Sequence, residues 1–288
     1  MWILYAAASA VCAGVTTIFL KKGVHTTNTN VALALRTLVV LIYSIIIVLI
    51  VGSQNQIYNI ESKTWLFLIL SGLSTGAGWY YYYKALQFGN VNKVSPLSKG
   101  SLVLTILLSF IFLNEEITAN KLFGVIVITI GTYFMIDYKK SKSENTDNNK
   151  WLIYALLSLL FSALTPIFGK VGIDNIESNL GSAIRTCVVV IAAWLILFIK
   201  NDFKEFKNVD KSEIKFIVLS GITGGSSWLL YYKALQDGIT SAVAAIDKLS
   251  LLVAIILSYF IFDEKMNKKT VLGLILILAG TIGLAVKI

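Results

Sequence analysis

Four basic side chains stand inside apolar runs where a charge is costly: Arg36, Lys99, Arg185 and Lys248. A charge at membrane depth costs about 3 kcal/mol or more, so each marks either a substrate-binding position or a structural ion pair. They form two pairs, Arg36 with Arg185 and Lys99 with Lys248, each separated by 149 residues. For the arginines the alternative to a functional role, gating included, is a side chain that snorkels to the headgroups or caps a neighbouring helix. Asp247 is the single acid well inside such a run, and its counterpart 149 residues earlier is Ser98. Helical neighbours diverge by about 100°, so Asp247 is not expected to face the same way as Lys248. A partner on another helix, Arg185 or Lys99, is expected instead. Glu115 and Glu264 stand at the ends of runs, where a solvated structural role is the simpler reading. Unless they reach back as counter-ions, four cations against one acid favour an anionic or carboxylate-bearing ligand.

Aromatic residues give the second signal. Trp79 and Tyr83 are spaced i,i+4 and share a helix face, and Trp228 with Tyr232 repeat the spacing 149 residues later. Such rings line a cavity and take apolar groups or quaternary amines, or else form an interfacial belt or pack between helices; Tyr81–Tyr83, near a helix end, suit the belt or packing. Pro96 lies among Ser95, Ser98 and Lys99, and a proline in a membrane helix frees a carbonyl that must line a cavity or find a partner. The candidate substrate-binding set is therefore Trp79, Tyr83, Ser95, Ser98, Lys99, Trp228, Tyr232, Asp247 and Lys248.

The elements that must position these residues are apolar helices. Residues are 56% hydrophobic and 14% charged, against roughly 25% charged in a soluble domain. Runs at 2–20, 31–51, 65–83, 94–113, 122–136, 151–169, 180–199, 216–232, 239–262 and 271–286 approach the roughly 20 residues needed to cross a bilayer. The chain also repeats itself: residues 1–139 laid on 150–288 without a gap give 45 identities, and SGLSTGAGWYYYYKALQFG returns as SGITGGSSWLLYYKALQDG. The expected architecture is all-α, with ten transmembrane helices in two five-helix repeats, residues 1–138 and 151–288, joined by a polar cytoplasmic linker at 139–150. Five is odd, so the repeats must cross the membrane in opposite senses. Inverted repeats place a substrate site near the midplane at their interface and work by alternating access.

The net charge of +9 suggests nucleic acid only until the lysines are placed. Sixteen Lys fall on the side holding loops 1–2, 3–4, 5–6, 7–8 and 9–10, against five on the side holding both termini. The positive-inside rule then puts the linker in the cytoplasm and both termini outside the cell membrane. The run at 2–20 lacks a charged leader and recurs at 151–169, which argues against a cleaved signal peptide. Cys12 and Cys187 are not repeat-equivalent and read as free thiols. With one histidine, His25, no metal centre and no cofactor is expected.

The stretch from Lys84 to Phe134 resembles the end of the repeat in EamA-type members of the drug/metabolite transporter superfamily. It carries Ala85–Leu86, Pro96, Leu113 before Glu115, and Gly124 with Gly131; the second repeat carries Ala234–Leu235, Glu264, Gly273 and Gly280 but Ala245 in place of the proline. The resemblance implies a ten-helix secondary transporter of small metabolites such as amino acids, amines or nucleotide-linked compounds, running uncoupled or with a proton or counter-substrate, and the excess of cations adds organic anions to the candidates. It also implies cytoplasmic termini, the reverse of the lysine count. Other readings are a flippase for a lipid or lipid-linked carrier, a channel, and an intramembrane enzyme. The last lacks the acid clusters or histidines it would need, so an enzyme is not expected.

Overall fold

In a computed structural model, residues 1–24, 26–88, 94, 100–116, 118–134, 150–262 and 268–285 are described, and they are all-helical. The helices are α1 (Trp2–Gly23), α2 (Thr29–Val51), α3 (Ser62–Phe88), α4 (Ser101–Leu113), α5 (Ala119–Phe134), α6 (Lys150–Gly172), α7 (Ser178–Ile199), α8 (Lys211–Asp237), α9 (Thr240–Asp247), α10 (Leu249–Phe262) and α11 (Lys268–Ala285). Helix starts follow from their capping residues. Asn28 accepts from the Asn30 amide, Glu177 from those of Asn179 and Leu180, and Asp210 from that of Ser212. Helices α2 and α7 stop in the same way. Gly52 (φ 78) and Asn201 (φ 55), 149 residues apart, turn left-handed, and a short 3-10 segment follows each, Ser53–Asn59 and Asp202–Asn208.

Among the described residues, five segments are long and apolar enough to cross a membrane: α1, α2, α6, α7 and the run Thr240–Phe262 that contains α9 and α10. Shorter apolar helices cover Ser101–Leu113, Lys121–Phe134 and Val271–Thr281. Helices α3 and α8 are 27 residues each, but glycine, serine, threonine and tyrosine dilute their apolarity. Those small residues are needed because both helices are packed on several sides. Helix α3 lies on α6 and α7, and α8 on α1 and α2.

Polarity runs inside out relative to a soluble protein. Ile46, Leu49, Ile50, Phe123, Phe198 and Phe260 are exposed, while Ser9, Ser44, Ser71, Ser220, Thr105 and Thr186 are buried. An outer apolar surface of this extent suits lipid. Inside, hydroxyls answer helix carbonyls, as when Ser9 Oγ donates to the Ser227 carbonyl (2.8 Å) and Ser158 Oγ to the Gly78 carbonyl (2.9 Å), a second pair one interval away.

Close contacts also come in pairs. Gly72 meets Val188 and the Arg185 carbonyl; Gly221 meets Val39 and the Arg36 carbonyl. Gly131 meets the Gly273 carbonyl, and Gly280 that of Gly124. A Cβ built on any of these four glycines would lie within 2.6–2.8 Å of its nearest neighbour, so only glycine allows the helices to approach.

Candidate functional site

A cavity of about 360 Å³ opens between the two halves of the chain, near the lower end of the roughly 300–1,000 Å³ range of ligand sites. Arg36 on α2 and Asp247 with Lys248 at the α9–α10 junction supply its charges. Trp228 and Tyr231 on α8 supply rings, and Thr16, Thr17, Thr105, Thr165 and Ser227 supply hydroxyls.

The α9–α10 junction is a break in the helix. The Lys248 amide bonds the Ala245 carbonyl and the Leu251 amide the Lys248 carbonyl, each over three residues instead of four. Leaving α-helical geometry there lets the lysine stem fold back, and Lys248 Nζ lies 3.9 Å from Asp247 Oδ2. The expectation that these neighbours cannot meet holds for an unbroken helix and fails here. Pro96 has no counterpart at Ala245, so the second repeat breaks without a proline. Broken helices at membrane depth are found where they line a cavity. In α6, Pro166 cannot donate to Ser162, four residues back, and both residues reach the cavity wall.

The two arginines lie in different surroundings. Arg36 lines the cavity, with Nε 3.5 Å from the Ser220 carbonyl. Arg185 is 2% exposed. Its guanidinium carbon lies 3.8 Å from the ring centre of Trp228 and 5.5 Å from that of Tyr232, and Nη2 donates to Thr75 Oγ1 at 2.7 Å. Arg185 Nε has no hydrogen-bond partner among the described residues, so ring faces provide much of its compensation. Neither snorkelling nor pairing with Asp247 accounts for Arg185; it is walled in behind Trp228.

Beyond Tyr231 the cavity is closed off. Lys170 Nζ donates to the carbonyls of Leu235, Gln236 and Gly238, capping the end of α8. Gln236 Nε2 returns bonds to the Ile173 and Ile176 carbonyls at 2.9 and 2.6 Å. Glu115 accepts from the Thr240 and Ser241 amides and the Ser241 hydroxyl, capping α9 from the other half. Its role is structural, as expected, but the carboxylate is half-buried and no longer simply solvated. Beneath this lid Leu68, Ile173, Ile176, Leu180, Tyr232 and Ile246 pack as one core. At the other end the cavity extends to Leu20, next to the exposed Lys21, whose Nζ lies 4.4 Å over the Phe262 ring.

Of the residues singled out in the sequence, Trp228, Asp247, Lys248 and Arg36 converge on the cavity. Tyr232 is buried behind it, its hydroxyl 3.0 Å from Ser71 Oγ. Trp79 is half-buried and does not appear among the described lining residues. Tyr81 stacks on Tyr154 and Phe161 of α6, and so packs between helices, one of the two readings that its place near a helix end suits. Ser95, Ser98, Lys99, Glu264 and the side chain of Tyr83 lie outside the described residues. Cys12 and Cys187 are free. The hydroxyl lining was missed, although one signal was present: Thr16 and Thr165 are identical across the repeat inside otherwise apolar runs.

A transporter from Sinorhizobium sp, named by its position in the cobO 3' region and otherwise uncharacterized, is 37% identical over 134 residues, 46% of this chain and 95% of its own. An S-adenosylmethionine uptake transporter of Rickettsia bellii (strain RML369-C) is 27% identical over 223 residues, 74% of this chain and 70% of its own. A solved crystal structure with 11% identity superposes with a TM-score of 0.77 over 98% of this chain and 95% of its own, a likeness of fold. The EamA-like transporter family matches twice, at residues 1–137 and 149–286, so this multi-pass membrane protein belongs to the EamA-like transporter family.

Proposed function

We propose that the chain is a secondary transporter that moves a small metabolite across the cell membrane by alternating access, through the cavity between residues 1–138 and 151–288. The observation that carries this reading is a cavity that extends to Leu20, beside the exposed Lys21, and ends toward Gly238 at the Lys170 and Gln236 bonds and the packed core beneath them. A site accessible from one side at a time is what alternating access requires. The matched glycine contacts on α3–α7 and α8–α2, together with the 149-residue repeat, support two five-helix halves of opposite orientation. The Sinorhizobium relative, matched over 95% of its length by under half of this chain, supports the repeat as the unit.

The lysine bias supports an orientation with both termini outside, which would put the Leu20 end of the cavity on the cytoplasmic side. The test is counterflow in proteoliposomes preloaded with amino acids, organic anions or S-adenosylmethionine, the last because relatives are named for its uptake. Saturable exchange of one compound supports the reading. Equal exchange in empty liposomes for every compound rejects it.

A further inference from the structure

We propose that the cavity takes an organic substrate bearing a carboxylate, and that Arg36 is the residue that holds this carboxylate. The inference rests on the transporter reading and narrows it to a substrate class. Three observations carry it.

The first is the charge of the wall. The described charged residues lining the cavity are Arg36, Lys248 and Asp247, one more cation than anion. Asp247 has Lys248 at 3.9 Å, so its charge is partly answered within the protein.

The second is what stands behind the aromatic wall. Read from sequence alone, Trp228 suits a quaternary amine as well as an apolar group. In the fold, Arg185 stacks on this ring with its guanidinium carbon 3.8 Å from the centre. A second cation on the indole would share the ring with a buried positive charge in a medium of low dielectric, where like charges repel strongly. The buried arginine thus turns Trp228 from a cation site into a surface for a planar or apolar group, and it adds positive potential to the cavity.

The third is the contrast at position 224. In the first repeat Thr75 fills this place and accepts from Arg185. In the second repeat the place is Gly224, and a Cβ built there would come 2.6 Å from Arg36 Nη2. Glycine leaves room for this guanidinium against α8 at the cavity wall. The planar fork of a guanidinium matches a carboxylate in two parallel hydrogen bonds, which an ammonium does not. Thr16, Thr105 and Ser227 leave neutral donors and acceptors for the rest of a small molecule.

The test uses the purified full chain in detergent and three matched acids: acetate, phenylacetate and indole-3-acetate, each with its amide and its corresponding amine. Binding is read by calorimetry and by the shift in melting temperature. The expected result is that at least one acid binds about tenfold or more tightly than its amide, with the amine weaker than the acid. Arg36→Gln should close the gap between acid and amide, and Arg36→Lys should restore part of it, with unliganded melting showing that both variants fold. Preference for the amines, no acid favoured over its amide, or an unchanged gap in Arg36→Gln overturns the proposal. The transporter reading fails separately, on counterflow, and survives if only the substrate class is wrong.

Discussion

Arg36 and Arg185 occupy the same position in two copies of one repeat, yet one borders a cavity and the other is walled in. Three differences around them account for this. Thr75 gives Arg185 a hydroxyl, while Gly224 gives Arg36 none. Trp228 covers Arg185, while Trp79 does not appear among the residues on the Arg36 side of the cavity. Lys170 draws α8 shut, while its counterpart Lys21 is exposed over Phe262. The same side chain therefore serves as structure in one half and as a binding candidate in the other. A duplicated sequence supplies the pair, and the packing around each member decides its role.

The largest way to break this contrast is to remove the cover. Trp228→Ala deletes a large ring and takes from the Arg185 charge its nearest ring face, so a loss of about 3 kcal/mol is expected. Trp79→Ala is expected to cost well under half of that. Thermal unfolding of the two variants in one detergent checks the difference. Equal losses would mean that the two arginines stand in equivalent surroundings.

A smaller effect is expected from the hydroxyl. Thr75→Val keeps the shape and removes the acceptor for Arg185 Nη2, an interaction with a buried charge worth about 2 kcal/mol. Gly224→Ala, its counterpart, meets the movable end of Arg36 and, at 3.4 Å, the Thr16 methyl. It should barely change the melting temperature, and should act on ligand affinity instead.

Both halves of this contrast were only partly legible in the sequence. The repeat, the two pairs of intramembrane cations and the helical fold follow from residue spacing and apolarity alone. The broken helix at Asp247–Lys248 did not, because no proline marks it and an unbroken helix had to be assumed. The placement of Arg185 behind Trp228 depends on α7 meeting α8, a contact between segments that periodicity cannot pair. Hydroxyls were overlooked because threonine in an apolar run is compatible with bonding its own helix, as Thr16 does to the Cys12 carbonyl at 2.7 Å. Only in the fold does Thr16 also reach Thr223, at 2.9 Å, and border the cavity.

A loss smaller than that of Thr75→Val sharpens the contrast at the membrane edge. Glu213 stands in the first turn of α8, ahead of the apolar run that begins at Phe216, and its counterpart in the first repeat is Thr64. Burial pushes its carboxyl up, but hydrogen bonds from Thr26 and Thr27 outweigh that and hold the pKa down at about 2. It thereby fixes the approach to α2, whereas α7 relies on its own Glu177. Folding lowers this pKa below the ordinary 4.5, so the stabilisation is whole above pH 4.5 and fades as pH falls toward about 2. Glu213→Gln should cost about 1 kcal/mol at pH 7. Melting curves of variant and parent should converge on acidification across that window, and a gap that stays constant would show that the carboxylate charge is not the cause.

The central claim, a cavity exposed to one side at a time, is tested most directly by cysteine accessibility. With Cys12 and Cys187 replaced by alanine and Thr16 by cysteine, a membrane-impermeant maleimide is applied to intact cells and to inverted vesicles, with and without Lys170→Met. The account predicts labelling from both sides, stronger from the side that faces Leu20, and a rise from the opposite side when Lys170→Met removes the cap on α8. Labelling confined to one side in both backgrounds would contradict alternating access through this cavity.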